Sequence, residues 1–251
     1  MLKPEDFAKL TKETFEMLNK ARTDPAWVAA ELQKYRNFYK NKEYKNPALG
    51  FTFETQEGVK AVEDAIDFLK KKVYPQKPLG HSSKLDSAAK TLLSHFDQTG
   101  GTSAAGEEFS LQNRLKKELG TVKSMAESSS FGFHDPKEIV FQLIIDDGVA
   151  TRANRKNLYS PSFTEAGLAL GTHKDYGYAC IIDFHGDGKK EEKQMEKYHL
   201  PKNEWPMGAI SLQTHLEMKA DGVKRIVKAT YSFTLPSGET EIKTKEFIED
   251  L

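Results

Sequence analysis

The sequence has only one cysteine, no long apolar run and no excess of either charge. Cys180 alone can form neither an internal disulfide nor a thiolate zinc site, so the chain is compatible with a reducing compartment. No stretch approaches the roughly 18 consecutive apolar residues of a membrane-spanning helix, so we expect no transmembrane segment. The 37 basic and 37 acidic residues cancel, which argues against nucleic acid and acidic membranes as partners.

An export signal is also missing from the start of the sequence. Residues 1–6 carry neither the basic nor the apolar segment of a secretory leader. We therefore expect a cytoplasmic protein. Hydrophobic residues make up 38% of the chain and charged residues 29%, which predicts a well solvated surface or one that makes polar contacts with partners.

Arginine is scarce among the basic residues. Of the 37, 31 are lysine and 6 are arginine, a bias typical of AT-rich genomes such as those of many protists. In such a chain, the positions that keep arginine are candidates for sites that need its planar, forked donor geometry. These positions are Arg22, Arg36, Arg114, Arg152, Arg155 and Arg225.

Hydrophobic periodicity predicts helices in the first 147 residues and strands in the last 90. The predicted helices cover residues 5–21, 27–35, 59–72, 82–98, 109–119 and 136–147, the last of them capped by Asp135 before Pro136. The predicted strands cover residues 166–170, 178–184, 222–234 and 239–248, and the last two form a hairpin. Residues 39–47, 99–106 and 128–130 lack a period and are predicted to be loops.

This order of elements predicts an α+β fold in which helices pack on a sheet. Residues 1–185 form the predicted domain. Residues 186–251 form a charged excursion followed by the C-terminal β-hairpin, which we expect to pack on the same domain.

Several segments form an ordered series of motifs. The most extensive runs from Leu143 to Leu158 and contains Asp146-Asp147-Gly148 and Arg152-Ala153-Asn154-Arg155. The others cover residues 19–25, 55–58, 68–70, 85–89, 167–173 and 178–184. Together they resemble the CAP (SCP-like, pathogenesis-related 1-like) domain over roughly residues 5–185. The resemblance implies an α-β-α sandwich. The C-terminal β-hairpin predicted from the residues themselves lies beyond the matched segments and is an expected extension of that fold.

The resemblance also implies a central cleft with two histidines and two acids, able to hold a divalent metal. Imidazole and carboxylate groups are ligands that Zn²⁺ accepts. In this sequence Gly101 stands where the first histidine would be, and Asn154 replaces the second. Glu127 matches one acid, and Asp146 or Asp147 supplies the other. The expected cleft is therefore degenerate, with no metal, no cofactor and no catalytic residue.

Four of the six arginines fall within the segments that resemble the family. They are Arg22, Arg114, Arg152 and Arg155. We expect their guanidinium groups to tie loops to carboxylates or backbone carbonyls around the cleft. Asp146 and Asp147 are the expected partners of Arg152 and Arg155.

Other residues that could carry chemistry receive structural interpretations. His95 and His134 are expected to be surface or capping residues rather than cleft residues. The serines at 128–130, next to Glu127, have no identifiable base or Gly-x-Ser-x-Gly elbow, so a polar loop is favoured over a nucleophile. Cys180, inside a predicted strand, is expected to be a buried, unreactive thiol.

The missing imidazoles, the missing export signal and the charged extension together predict a non-enzymatic CAP-domain protein. It would bind other proteins as a structural subunit of a larger intracellular assembly, and in a ciliated protist the expected setting is the axoneme of the cilium. A lipid- or sterol-binding module, with Phe131, Phe133, Tyr159 and Phe163 along a groove, is the alternative. A metal-dependent hydrolase ranks last.

Overall fold

The computed structural model describes residues 2–47, 50, 52–73, 75–187, 198–220 and 224–250. The chain forms two compact units, Met1–Lys189 and Lys190–Leu251. Within the described ranges it contains seven α-helices and three sheets, a mixed architecture compatible with the predicted α+β class. Of the helices in these ranges, none is both long and apolar enough to cross a bilayer.

The seven helices all lie in the first unit. They are α1 (Pro4–Thr23), α2 (Pro25–Tyr35), α3 (Val59–Lys71), α4 (Ser83–Thr99), α5 (Leu111–Leu119), α6 (Pro136–Ile145) and α7 (Ala153–Tyr159). The predicted start of α6 is confirmed, because the Asp135 side chain accepts hydrogen bonds from the backbone N–H groups of Lys137 and Glu138. Helix α7 was not predicted as a separate element.

The described residues of the first unit also form seven strands. They are β1 (Tyr39–Lys40), β2 (Glu43–Lys45), β3 (Thr52–Glu54), β4 (Gly80–His81), β5 (Ser124–Phe131), β6 (Glu165–His173) and β7 (Gly177–Gly186). Strands β1, β2 and β3 form a small antiparallel sheet. The larger sheet has the order β4-β6-β7-β5, in which only the β4–β6 pair is parallel.

Two loop predictions are wrong. Residues 39–47 contain β1 and β2, and residues 128–130 lie inside β5. Strand β5 pairs with β7 along its whole length, so its backbone hydrogen bonds come from a partner some 55 residues away along the chain. Local turn chemistry therefore did not decide the structure of this serine-rich segment.

The larger sheet carries helices on both faces. Successive side chains of a strand point to opposite faces of the sheet, and in its central strands β6 and β7 apolar side chains lie on both faces. Leu168 and Ile182 face the cluster that contains α1 and α6. Ala169 and Ile181 point the other way and pack against α4. Helix α4 lies so close to β6 that a Cβ atom on Gly167 would be 2.4 Å from a backbone nitrogen of the helix, so this position accepts only glycine.

The second unit is a three-stranded antiparallel sheet with the order β10-β9-β8. Its strands are β8 (Ser211–Ala220), β9 (Lys224–Thr234) and β10 (Thr240–Asp250). The predicted hairpin corresponds to β9 and β10, and β8 was not predicted. Leu200 packs with Tyr231 and Phe233 of β9 in the core of this unit. Residues 188–197 of the predicted charged excursion lie outside the described residues.

Candidate functional site

A cleft of about 480 Å³ opens in the first unit, and it is lined from α2, the β1–β3 sheet, β5 and α6. Four residues of the cleft expected from the CAP resemblance line it, namely Glu127, Asp146, Asp147 and Asn154. Gly101 is not among its lining residues, but the adjacent Thr102 is. Within the described chain, the lining has carboxyl, carboxamide, hydroxyl, aromatic and aliphatic side chains, and no histidine, cysteine, lysine or arginine.

Asp146 and Asn154 form a bonded pair at one side of the cleft. Helix α6 ends at Asp146, whose backbone is left-handed with φ 55°. The Asn154 Nδ2 group donates to Asp146 Oδ1 at 2.7 Å, and the backbone N–H of Arg155 donates to Oδ2 at 3.2 Å. Burial raises the pKa of Asp146. Asn154, which stands where the CAP resemblance would place the second histidine, therefore holds the Asp146 carboxylate.

Glu127, which is partly exposed, forms a triad with the buried Arg114 and Asp183 that sequence reasoning missed. It lies opposite Asp183 in the β5–β7 register, and the two Nη groups of Arg114 donate one to Glu127 and the other to Asp183, the latter at 2.8 Å. Burial raises the pKa of Asp183 to about 7, against the opposing attraction of Arg114. The Oδ1 atom of Asp183 has no hydrogen-bond partner within the described residues.

The loss of hydration on burial therefore favours the protonated form of the Asp183 carboxyl, although Arg114 donates to it. One feature of the sequence indicated this triad, namely the acid Asp183 inside the predicted apolar strand 178–184. An ionisable group buried in such a strand needs a partner.

Asp147 fixes a loop rather than an arginine. Its Oδ2 and Oδ1 atoms accept hydrogen bonds from the backbone N–H groups of Gln56 and Glu57 at 2.6 and 2.8 Å. The carboxylate thereby anchors the connection from β3 to α3 at the edge of the cleft. These two hydrogen bonds hold the loop next to the end of α6.

Asp146 and Asp147 were expected to partner Arg152 and Arg155, and Arg152 Nη1 does donate to the backbone carbonyl of Asp146 at 2.7 Å. The carboxylates that these two guanidiniums bind in the described structure are those of Glu57 and Asp64. Arg152 binds both carboxylate oxygens of Glu57 at 2.6 Å and lowers the pKa of that acid to about 2. Arg155 donates to Asp64 at 2.8 Å, and its other nitrogens donate to two carbonyl oxygens in the last turn of α6, at 2.5 and 2.8 Å. Both arginines thus connect α3 and its N-terminal loop to the α6–α7 region.

Arg22 is buried and donates only to backbone carbonyls in the described chain. It reaches Lys77 from Nε at 2.8 Å, Leu158 from Nη1 at 2.7 Å and Phe163 from Nη2 at 3.1 Å. Burial lowers the pKa of its guanidinium to about 10. Three segments distant in sequence therefore converge on one side chain, which only the forked geometry of arginine allows.

A histidine that the sequence did not single out holds the loop that contains Gly101. His173 is buried at the end of β6, and its Nδ1 atom accepts the backbone N–H groups of Asp175 and Tyr176. The proton must then lie on Nε2, which donates to the carbonyl oxygen of Gly101 at 2.8 Å. Asp175 accepts the N–H of Gly101 at 2.8 Å. The His173 ring thus connects the loop that contains Gly101 to the turn that follows β6.

The remaining candidates are not among the described lining residues of the cleft. His95 stacks on Phe109 with ring centroids 3.9 Å apart, and His134 is exposed beside Tyr178. The prediction that Cys180 is buried is confirmed, and burial raises the pKa of its thiol to about 12. A thiol so disfavoured from ionising is a weak nucleophile.

The donor set does not fit a zinc ion. Gly101 offers no side chain, Asn154 is a carboxamide that already donates to Asp146, and both oxygens of Asp146 have partners. Across the ranges that the structure describes, no three His, Cys, Asp or Glu side chains are grouped so that they could share a metal. No family model matches the chain, and no curated protein matches it either.

Proposed function

We propose that the chain is a divergent CAP-type domain that binds another protein and is not an enzyme, with the cleft as its recognition site. The ordered motifs of residues 5–185 support the family. Helices on both faces of a mainly antiparallel sheet are compatible with its α-β-α sandwich.

One observation carries the functional part of the proposal. The described lining of the cleft offers no imidazole, thiol or amine, the groups that most often act as bases and nucleophiles at neutral pH. Three of the five acids in this lining have structural partners instead. Asp146 binds the start of α7, Asp147 binds the β3–α3 loop and Glu127 binds Arg114. A rigid, shaped cleft with these contacts is suited to recognition.

The assembly part of the proposal is tested on the native protein. The chain has a mass of 28.3 kDa, so a subunit of a larger assembly elutes far ahead of that mass when a native extract is separated by size exclusion. Elution of all of the protein as a free monomer would refute the assembly. If the source is a ciliated protist, we expect the assembled fraction to be enriched in isolated axonemes.

The role of the cleft is tested with a rim variant. Glu54 and Gln56 are exposed lining residues, so the double variant Glu54→Lys, Gln56→Lys alters the mouth of the cleft without disturbing the core. We expect this variant to leave the assembly. Lys116 on α5 is exposed and is not a lining residue, so Lys116→Glu is the matched control. Equal incorporation of both variants would show that the partner binds elsewhere.

The aromatic part of the lining favours lipid binding as the second candidate. Phe131 and Phe133 line the cleft. Tyr159 and Phe163, which were expected beside them, are instead buried in the main hydrophobic core. Two of the four residues expected along the groove therefore line the cleft. Displacement of a fluorescent fatty acid from the purified chain tests this candidate, and failure of the probe to bind removes it.

A further inference from the structure

The cleft has an aromatic end where four aromatic rings cluster beside a glutamate. Tyr44, the central ring, lies 4.9 Å from Tyr39, 5.5 Å from Tyr35 and 5.0 Å from Phe53, measured between ring centroids. Glu138 from α6 is in contact with this group, since Tyr44 Oη donates to its Oε2 at 3.0 Å. We call these four rings with Glu138 the aromatic pocket. All five residues line the cleft.

The charge around the aromatic pocket is negative and incompletely balanced. Glu54, Glu138 and Asp146 line the cleft, and no lysine or arginine is among the described lining residues. The partners of Glu138 are neutral, since Tyr44 Oη donates to one oxygen and Asn46 Nδ2 to the other at 2.9 Å. Each carboxylate oxygen can accept a second hydrogen bond. A cation would find both an opposite charge and free acceptor capacity.

An independent observation points to a ligand at the same place. Tyr35 is only 5% exposed, and its hydroxyl has no hydrogen-bond partner within the described residues. A buried hydroxyl without a partner is unfavourable and uncommon in folded proteins. Tyr35 lines the cleft, and its hydroxyl oxygen is itself covered. A turn of the ring toward the cleft would therefore let a ligand atom in the aromatic pocket supply the missing hydrogen bond.

We propose that the aromatic pocket binds a primary alkylammonium group. The ammonium donates to Glu138 and to Tyr35 Oη, while ring faces stabilise the charge and the alkyl stem packs along Phe53. This inference rests on the proposed function, because it names the ligand chemistry of the same cleft. A lysine side chain of a partner protein and a free small amine present the same group.

Charge and hydrogen-bonding capacity distinguish a primary amine from two similar small molecules, a quaternary ammonium and an alcohol. A quaternary ammonium has the charge and attracts aromatic rings, but it has no N–H to donate to Tyr35 or Glu138. An alcohol of the same length has the apolar stem and a hydrogen bond but no charge. The aromatic pocket should therefore prefer a primary amine over both.

The test measures binding to the full chain by isothermal titration at pH 8, above the pKa of about 7 that burial gives Glu138. The probes are pentylamine, which is cationic at this pH, pentyltrimethylammonium and 1-pentanol. We expect pentylamine to bind roughly tenfold more tightly than either relative, as suits a hydrogen bond to a charged group. Equal affinities for the amine and the alcohol, or no binding of pentylamine, would overturn the proposal.

Variants then locate the site. Tyr35→Phe should lower the pentylamine affinity about fivefold without lowering the melting temperature, because the hydroxyl it removes has no partner in the described chain. Glu138→Gln should lower the affinity at least about tenfold, and Lys116→Glu should leave it unchanged. Unchanged affinity in both Tyr35→Phe and Glu138→Gln would also overturn the proposal.

The source of the group is distinguished by a blocked Gly-Lys-Gly tripeptide and its acetyl-lysine form. Binding of the lysine tripeptide, lost on acetylation, supports a protein partner. Binding of pentylamine without the tripeptide supports a free amine. If pentylamine fails to bind while the native protein remains in an assembly, this proposal is wrong and the proposed function stands. If the native protein is a free monomer and binds pentylamine, this proposal stands and the assembly part of the proposed function is wrong.

Discussion

Glu138 offers the sharpest test of the cleft's electrostatics. It is 6% exposed, lies in the first turn of α6 and accepts hydrogen bonds from Tyr44 and Asn46. Burial raises the pKa of its carboxyl from 4.5 to about 7, because the ionised form loses its hydration. The substitution Glu138→Gln keeps the shape and the hydrogen-bonding capacity, but removes the ionisation.

The sign and size of the effect follow from linkage between proton binding and folding. Between pH 4.5 and about 7, the unfolded chain has lost the proton of Glu138 while the folded chain still holds it. The free energy of unfolding therefore falls as the pH rises through this window and levels off above it. The difference between the two pKa values corresponds to a loss of about 3 kcal/mol.

The measurement is urea unfolding of the wild-type chain and of Glu138→Gln at several pH values from 4 to 9. Asp146 and Asp183 also have pKa values raised by burial, but both titrate in the two proteins, so their contributions cancel in the comparison. We expect the variant to gain about 3 kcal/mol of stability relative to the wild type between the acid and alkaline ends of the range.

If the free energies of unfolding of the wild type and of Glu138→Gln change with pH in parallel, this reasoning is refuted. Glu138 would then ionise as readily in the folded chain as in the unfolded one. A direct check is the carboxyl ¹³C signal of Glu138 in the native protein. It should titrate with a midpoint near pH 7 and be absent from the variant.

Three further predictions concern the framework around the cleft. Arg155→Lys should cost about 1–3 kcal/mol of stability, since one ammonium cannot replace bonds to a carboxylate and two carbonyls; an unchanged melting temperature in calorimetry contradicts this. Gly167→Ala should be strongly destabilising in urea, because its Cβ would lie 2.4 Å from the nearest backbone atom of α4, whereas Gly80→Ala meets nothing closer than 3.6 Å; equal midpoints for the two would be the wrong outcome. Asp175→Ala removes the acceptor of the Gly101 N–H and should speed limited proteolysis within 101–106, a result that unchanged cleavage would exclude.

The predictions that the structure confirms depend on neighbours within a turn or two of the chain. The start of α6 follows from the cap that Asp135 forms before Pro136, a contact between adjacent residues. The burial of Cys180 follows from the apolar segment around it. Strands β6 and β7 were predicted from short apolar runs, and the structure extends each of them by a few residues.

The predictions that were wrong concern residues whose partners are distant in the sequence. Strand β5 is serine-rich and has no apolar alternation, so its structure depends on pairing with β7. Sequence spacing placed Arg152 near Asp146 and Asp147, yet its carboxylate partner Glu57 is 95 residues away in the chain. Backbone N–H groups and the Asn154 side chain already bind the carboxylates of Asp146 and Asp147, which no local pattern reveals.

The sequence alone determined where most helices begin and end, that its one thiol is buried and which residues stand at the positions of the expected cleft. The tertiary structure decided what those residues do. Asn154 holds Asp146, and Glu127 joins Arg114 and Asp183. Helix caps and periodicity arise from contacts a few residues apart, whereas the charge state of a buried carboxyl depends on the distant segments that remove its water and supply its hydrogen bonds.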